Sequence, residues 1–289
     1  MPMKKFILAL SVAFLLYGAV NAQTTAQIFQ RGNQEYAAKQ YPQAIASYSE
    51  VIRRDATLAV AWFNRGQAYY FSGTISSAIN DYEKALSLDP GYVTAWFQLG
   101  LARNKNGEHS SAIAAYSRGI ALAPSDSQLY YNRGIAFADS KDDVSALRDY
   151  NQALKLNADY AKAYINRSAV YFRSKQYDAA ISDISNAIRL DPANAEALNN
   201  RGVIYSTTGK LDLAFADFNQ SIKLNPNSAK AHLDRAIGYT RVKDNAKALI
   251  DLNRAIELDP NYKNAYIFRS AVYFDTKMYQ LAKTDAETL

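Results

Sequence analysis

The sequence predicts an all-α fold, one elongated stack of helical hairpins. Two observations carry this. Small residues recur every 34 positions: Gly32, Gly66, Gly100, Gly134, Ser168, Gly202, Ala236 and Ser270. Alanine follows each of them twelve residues later, at Ala44, Ala78, Ala112, Ala146, Ala180, Ala214, Ala248 and Ala282. No insertion or deletion breaks the register from Thr25 to Leu289. A fixed period of this length marks stacked copies of one supersecondary unit, which cannot bury its apolar face alone. On length, 289 residues could make two globular domains. The unbroken repeat overrides that expectation.

The elements follow in order. Residues 1–22 stand apart from the array 23–289. The repeats are 25–58, 59–92, 93–126, 127–160, 161–194, 195–228, 229–262 and 263–289. Each carries two amphipathic helical patterns. In the second repeat they run from Val60 to Ser72 and from Ser76 to Leu88, with Gly73 between them and Pro90 after. Glycine suits the left-handed residue after a helix, and proline cannot continue one. Gly107 and Gly209 repeat the turn signal, and Pro124, Pro192, Pro226 and Pro260 repeat the stop. Two antiparallel helices approach closely only over small side chains, which Gly66 and Ala78 provide.

The second repeat reads Trp62, Gly66, Tyr69, Ala78, Tyr82, Ala85, Pro90. At this spacing the chain resembles the tetratricopeptide repeat (TPR) family over 25–289. The resemblance implies a right-handed α-solenoid whose first helices line a concave surface. It also implies binding of proteins or peptides. Departures are local: Glu35 replaces the usual aromatic in the first repeat. Ile184, Leu252 and Ala286 replace the second-helix aromatic in the fifth, seventh and eighth. Most of the 22 tyrosines are repeat-position residues.

Residues 1–22 read as a secretory signal peptide. Lys4 and Lys5 precede an apolar run from Phe6 to Val20, too short for a comfortable bilayer span, and Val20-Asn21-Ala22 is a small-x-small cleavage pattern. The alternative is an uncleaved N-terminal anchor. The expectation is an exported protein, periplasmic or secreted, with no membrane span in the mature chain. The absence of cysteine excludes disulfides, a lipidated cysteine, thiolate metal sites and a cysteine nucleophile. Without the two signal lysines, 31 basic residues face 27 acidic ones, a net charge of +4. No Lys/Arg run exists, and a nucleic-acid partner is not expected.

Seven repeats place arginine before the small residue: Arg31, Arg65, Arg133, Arg167, Arg201, Arg235 and Arg269; the third has Leu99. Sixteen residues on come Ser47, Asp81, Ala115, Asp149, Asp183, Asp217, Asp251 and Asp285. The repeat without the arginine also lacks the aspartate. This favours ion pairs inside each repeat, Arg65 with Asp81 and so on, over an anion-binding groove. Guanidinium–carboxylate forks suit a partly dry hairpin interface.

Binding is expected on the first-helix face. Three before the small residue stand Phe29, Phe63, Phe97, Tyr131, Ile165, Asn199, Leu233 and Ile267, and Tyr36 and Tyr70 lie four after it. Aromatics in a groove are binding anchors, although at helical spacing they also serve as core. Two before the small residue runs a row of amides: Gln30, Asn64, Gln98, Asn132, Asn166 and Asn200. An amide offers donor and acceptor together and matches a peptide backbone without reading its sequence. Some TPR superhelices hold extended peptides by such a ladder. TPR carboxylate clamps use two asparagines, which Asn33 and Asn64 match. Their basic positions are Phe29, Thr94 and Gln98 here, which leaves no cation for a carboxylate.

An enzyme is not expected. His109 and His232 are the two histidines, nearly four repeats apart, and His232 takes the packing position of Trp62 and Trp96. No HExxH, GxSxG or phosphate loop appears, and no cofactor or metal is implied. The expected role is a non-catalytic interaction scaffold of the cell envelope that binds a peptide or protein segment. The alternatives are a holdase-like chaperone and a structural component of an envelope or secretion assembly. The final repeat replaces the second-helix Ile, Leu or Phe of earlier repeats by Lys283. It is expected to cap the array, with self-association through its apolar edge as the competing reading.

Overall fold

The computed structural model describes residues 23–288. The signal-like segment 1–22 lies outside them. Sixteen α-helices and no strand lie among the described residues. They form two compact units, one ending at Ser140 and one starting at Lys141. The first unit holds α1 (Thr25–Ala37), α2 (Tyr41–Arg54), α3 (Ala59–Phe71), α4 (Ile75–Leu88), α5 (Val93–Lys105), α6 (His109–Leu122) and α7 (Ser127–Asp139). The second holds α8 (Asp143–Leu156), α9 (Ala161–Arg173), α10 (Tyr177–Leu190), α11 (Ala195–Thr207), α12 (Leu211–Leu224), α13 (Ala229–Arg241), α14 (Asn245–Leu258), α15 (Lys263–Asp275) and α16 (Tyr279–Glu287). Within each unit, consecutive helices pair into hairpins and consecutive hairpins stack, the packing of an α-solenoid.

Local chemistry sets the helix limits. Thr24 and Gln27 form a capping box at α1, and Asp126, Asp142, Asn194, Ser228 and Asp244 cap later helices through side-chain oxygens. Every hairpin turn passes through the left-handed region seven residues after the small position. Gly73, Gly107 and Gly209 hold it at φ of 89°, 80° and 77°. Lys39, Lys141, Lys175, Lys243 and Lys277 hold it in the other repeats. A side chain there is uncommon and costs about 1–2 kcal/mol, so the lysine turns are set by the packing of the flanking helices rather than by local preference.

The recurrent alanine is buried in every repeat, but the small residue before it answers chiefly to the second-helix ring. A Cβ added to Gly66 would stand 2.8 Å from Tyr82 Cε1 and 3.3 Å from the Ala78 carbonyl; one added to Gly202 would stand 2.7 Å from Phe218. Where the ring is absent, at Ile184 and Leu252, the small residue carries a Cβ, as Ser168 and Ala236. Glycine and ring are thus one packing unit.

The intra-repeat ion pairs form as expected. Arg65 grips Asp81 with two parallel bonds of 2.7 and 2.8 Å. Arg167 with Asp183, Arg201 with Asp217, Arg235 with Asp251 and Arg269 with Asp285 repeat this fork. A third leg was not legible in the sequence. The remaining Nη1 donates to the residue sixteen positions earlier, in the preceding repeat: Arg65 to Ser49 (3.0 Å), Arg201 to Ser185 (3.2 Å), Arg235 to Asn219 (2.8 Å). Rings of the same helix flank the guanidinium: Arg65 lies 4.8 Å from the Trp62 centroid and 5.8 Å from that of Tyr69, Arg167 and Arg269 likewise lie between two rings, and Arg201 lies over one, Tyr205, with Leu198 at the other position.

The two irregular repeats keep substitutes. In the third, Arg103 reaches Glu83, which stands where Ser49 stands one repeat earlier, at 2.5 Å. In the first, Glu35 accepts from Ser47 Oγ at 2.6 Å and lies 3.7 Å from Arg31. The Glu35 departure therefore restores the carboxylate that Ser47 lacks.

Candidate functional site

The aromatic row divides between core and surface. Phe63 is buried, its ring centroid 5.8 Å from that of Tyr82 and 4.8 Å from that of Tyr92. Phe29 and Phe97 are half-buried against Tyr48 (5.8 Å) and Tyr116 (6.2 Å), and Tyr131 is half-buried. These rings pack between helices first and offer only an edge to solvent. The rings four after the small residue, Tyr36 and Tyr70, are half-buried beside the exposed Phe71. Tyr36 lies 5.9 Å from Tyr41 and 6.1 Å from Phe71, and Phe71 is 54% exposed. Tyr70 meets Phe71 at 5.5 Å and carries Lys105 Nζ at 4.9 Å over its face.

The amide row is likewise uneven. Asn33 Oδ1 accepts from the Tyr48 hydroxyl at 2.8 Å and from Asn64 Nδ2 at 3.1 Å. Burial pushes the Tyr48 hydroxyl up to about 12, so it remains a donor at neutral pH. Asn132 Nδ2 donates to the Gln128 carbonyl of its own helix at 2.8 Å. Gln98, Asn166 and Asn200 are half-buried on the same face.

Each unit has a hollow at the same register of its first helices. In the first unit, Asn33, Tyr36, Tyr48, Asn64 and Gln67 line a hollow of about 270 Å³ between α1 and α3. In the second, Ala169, Phe172, Asn200, Val203, Ile204 and Lys230 are prominent in the lining of one of about 230 Å³. Ala169 corresponds to Asn33, Phe172 to Tyr36, Asn200 to Asn64 and Val203 to Gln67, each at a separation of 136 residues. Each hollow thus has a ring on one helix and a row asparagine on the next. The first is amide-lined. The second is apolar, with Lys230 held by Asp234 at 2.8 Å.

The sequence singled out Asn33, Tyr36, Asn64 and Asn200, and the fold sets the first three around one hollow and Asn200 in the other. It missed Gln67, Phe172 and Lys230. Phe172 was recoverable, since it shares the position of Tyr36 and Tyr70. Lys230 was not, because it starts α13, outside the three rows considered.

The histidines take structural places. His109 Nδ1 lies 2.8 Å from Asn104 Oδ1. His232 is buried, with Nδ1 2.9 Å from Asp251 Oδ1 and Nε2 3.3 Å from the Pro226 carbonyl. Trp62 and Trp96 donate to the equivalent carbonyls, of Ala56 and Pro90, so the imidazole replaces indole as a loop anchor. Burial works to raise the Asp251 carboxyl, and the Arg235 and His232 bonds outweigh it and hold it below the usual range. Among the described residues no cluster of three metal-ligating side chains occurs, and no helix is long and apolar enough to cross a membrane.

Family models described as Tetratricopeptide repeat match residues 63–127, 97–161, 131–186 and 195–228, and one described as TPR repeat matches 32–73 and 169–209. No curated protein matches the chain. A tetratricopeptide repeat protein from Parabacteroides merdae superposes with a TM-score of 0.70 at 17% identity, over 91% of this chain and 100% of that one. A chain of the APC/C hetero-tetramer Cut9-Hcn1 gives 0.65 at 23% identity over 80% of this chain; the match spans 48% of that chain's length. YrrB, described as a TPR protein with an unusual peptide-binding site, gives 0.52 at 21% identity, over 64% of this chain and 95% of that one. These likenesses show the fold.

Proposed function

Because the chain belongs to the tetratricopeptide repeat family, we propose that it is a non-catalytic scaffold that binds extended peptide segments on its first-helix face. The observation that carries the reading is the repeated hollow. Asn64 and Asn200 each face a ring, Tyr36 or Phe172, across a space of side-chain size. The asparagine amide pairs with the peptide backbone, and the hollow receives a side chain. The lining gives the two hollows different preferences: polar in the first unit, aliphatic or aromatic in the second. YrrB's described peptide-binding site supports a peptide ligand for this fold.

The same reading places the protein in the cell envelope. Its support is the pattern of residues 1–22, a basic start, a short apolar run and a small-x-small end. Protein recovered from native envelopes then begins at Gln23.

An array of immobilised synthetic peptides probed with the full chain tests the binding. The double change Asn64→Ala with Asn200→Ala is expected to weaken bound peptides by about tenfold or more, roughly 1.4 kcal/mol, with far-UV circular dichroism unchanged. Undiminished binding would exclude the amide row as the contact surface.

A further inference from the structure

The last repeat exposes what the earlier ones cover. Three before the small residue, every side chain from Phe29 to Leu233 is buried or half-buried; Ile267 is 49% exposed. Four after it, Tyr36, Tyr70 and Phe172 are half-buried; Phe274 is 64% exposed. Nine after it, Tyr41 and Tyr177 are half-buried; Tyr279 is 55% exposed. These three side chains, with Ala271 and Ala282, line an open hollow of about 550 Å³. It has the register of the two hollows above and one of their two walls. Lys283 is exposed as the capping reading expected, but α16 leaves Phe274 of α15 open to solvent.

The first repeat is finished differently. Five before the small residue, where Ala61, Ala95, Leu129, Ala163, Ala197, Ala231 and Ala265 are buried, it carries exposed Gln27. Two after, where Ala68, Ala102, Ala136, Val170 and Ile204 are buried, it carries exposed Gln34. In the inner repeats these positions meet the preceding hairpin: Ala68 packs with Ala44 and Tyr48, and Ala61 with Val51 and Ile52. Burying the Gln34 amide there, together with that of Gln27, whose Oε1 is already held by the capping box, is unfavourable. A second copy's first repeat is therefore a poor cover for the exposed last one, which argues against head-to-tail growth.

The exposed face carries opposite charges at its border. Asp275 ends α15 and Lys283 lies within α16, and both border the hollow. A two-fold axis through it sets the same patch against itself, ring on ring, and brings Lys283 of the partner subunit to Asp275 on both sides. We infer that the last repeat is a homodimer interface: Ile267, Phe274 and Tyr279 of two copies pack about a two-fold axis, with Asp275 and Lys283 paired across it.

Sedimentation velocity of the full chain from about 1 to about 100 µM tests this. A shift from monomer to dimer mass is expected, with no larger species. Asp275→Lys and Lys283→Asp, each on an exposed position, are each expected to weaken the dimer about tenfold or more, and an equimolar mixture of the two chains is expected to restore it. Phe274→Asp is expected to leave a monomer with an unchanged far-UV spectrum. A wild type monomeric throughout, a mixture that does not recover, a dimer that survives Phe274→Asp, or mass that grows beyond the dimer would each overturn the inference.

Discussion

At the scale of single residues the arginine before the small position is the joint of the array. Arg167 holds the carboxylate of its own hairpin, an amide of the preceding hairpin, and two rings of its own helix. Breaking one leg leaves the others around a mostly buried charge. Asp183→Ala strands Arg167, whose side chain is 16% exposed, and is expected to destabilise the protein by about 1–3 kcal/mol. Adding Arg167→Leu copies the natural pair Leu99 and Ala115 and is expected to recover part of that loss, read from denaturant melts. A double variant no better than the sum of the singles would mean that the fork does not couple the two positions. The own-hairpin partner was legible because Leu99 and Ala115 depart together. The preceding-hairpin partner was not, because its chemistry alternates among serine, asparagine and, as Glu83, a carboxylate.

At the scale of the helix pair, the ring on the glycine links packing to pH. Tyr48, Tyr82 and Tyr116 are buried in the first unit, and burial pushes their hydroxyls up from the ordinary value of 10.0, Tyr48 to about 12. A folded-state value above the unfolded one means that the neutral phenol favours the fold. That stability is full below about pH 10 and is lost as pH rises through the folded values. The second unit keeps one such ring, Tyr150 on α8, and from the fifth repeat on the position holds Ile184, Phe218, Leu252 and Ala286, none ionisable. Alkaline unfolding is therefore expected to start in the first unit, with phenolate absorbance rising together with loss of helix. Tyr82→Phe is expected to move the midpoint to higher pH. Loss of helix starting in the second unit would contradict the account. Element order and turns were legible from period and punctuation, because 34-residue spacing leaves little freedom. The lysine turns and the division of the aromatic row into core and edge were not. Both depend on which neighbour reaches a position, and Phe63 is covered by Tyr92, the last residue of its own repeat, where the chain enters α5.

At the scale of the whole molecule, a repeat array is stabilised by each hairpin and by its contacts with immediate neighbours, so stability can differ from end to end. The first repeat starts from a capping box and turns glutamines outward. The last repeat leaves Ile267, Phe274 and Tyr279 exposed. Opening is therefore expected to begin at the C-terminal end. Hydrogen exchange on dilute protein is expected to show less protection in α15 and α16 than in α1 and α2. Association about the last repeat removes that difference by mass action, so protection of residues 263–288 is expected to rise with protein concentration while that of 25–54 stays constant. Equal protection at both ends in dilute solution would show that the exposure of Phe274 and Tyr279 costs the last repeat no local stability.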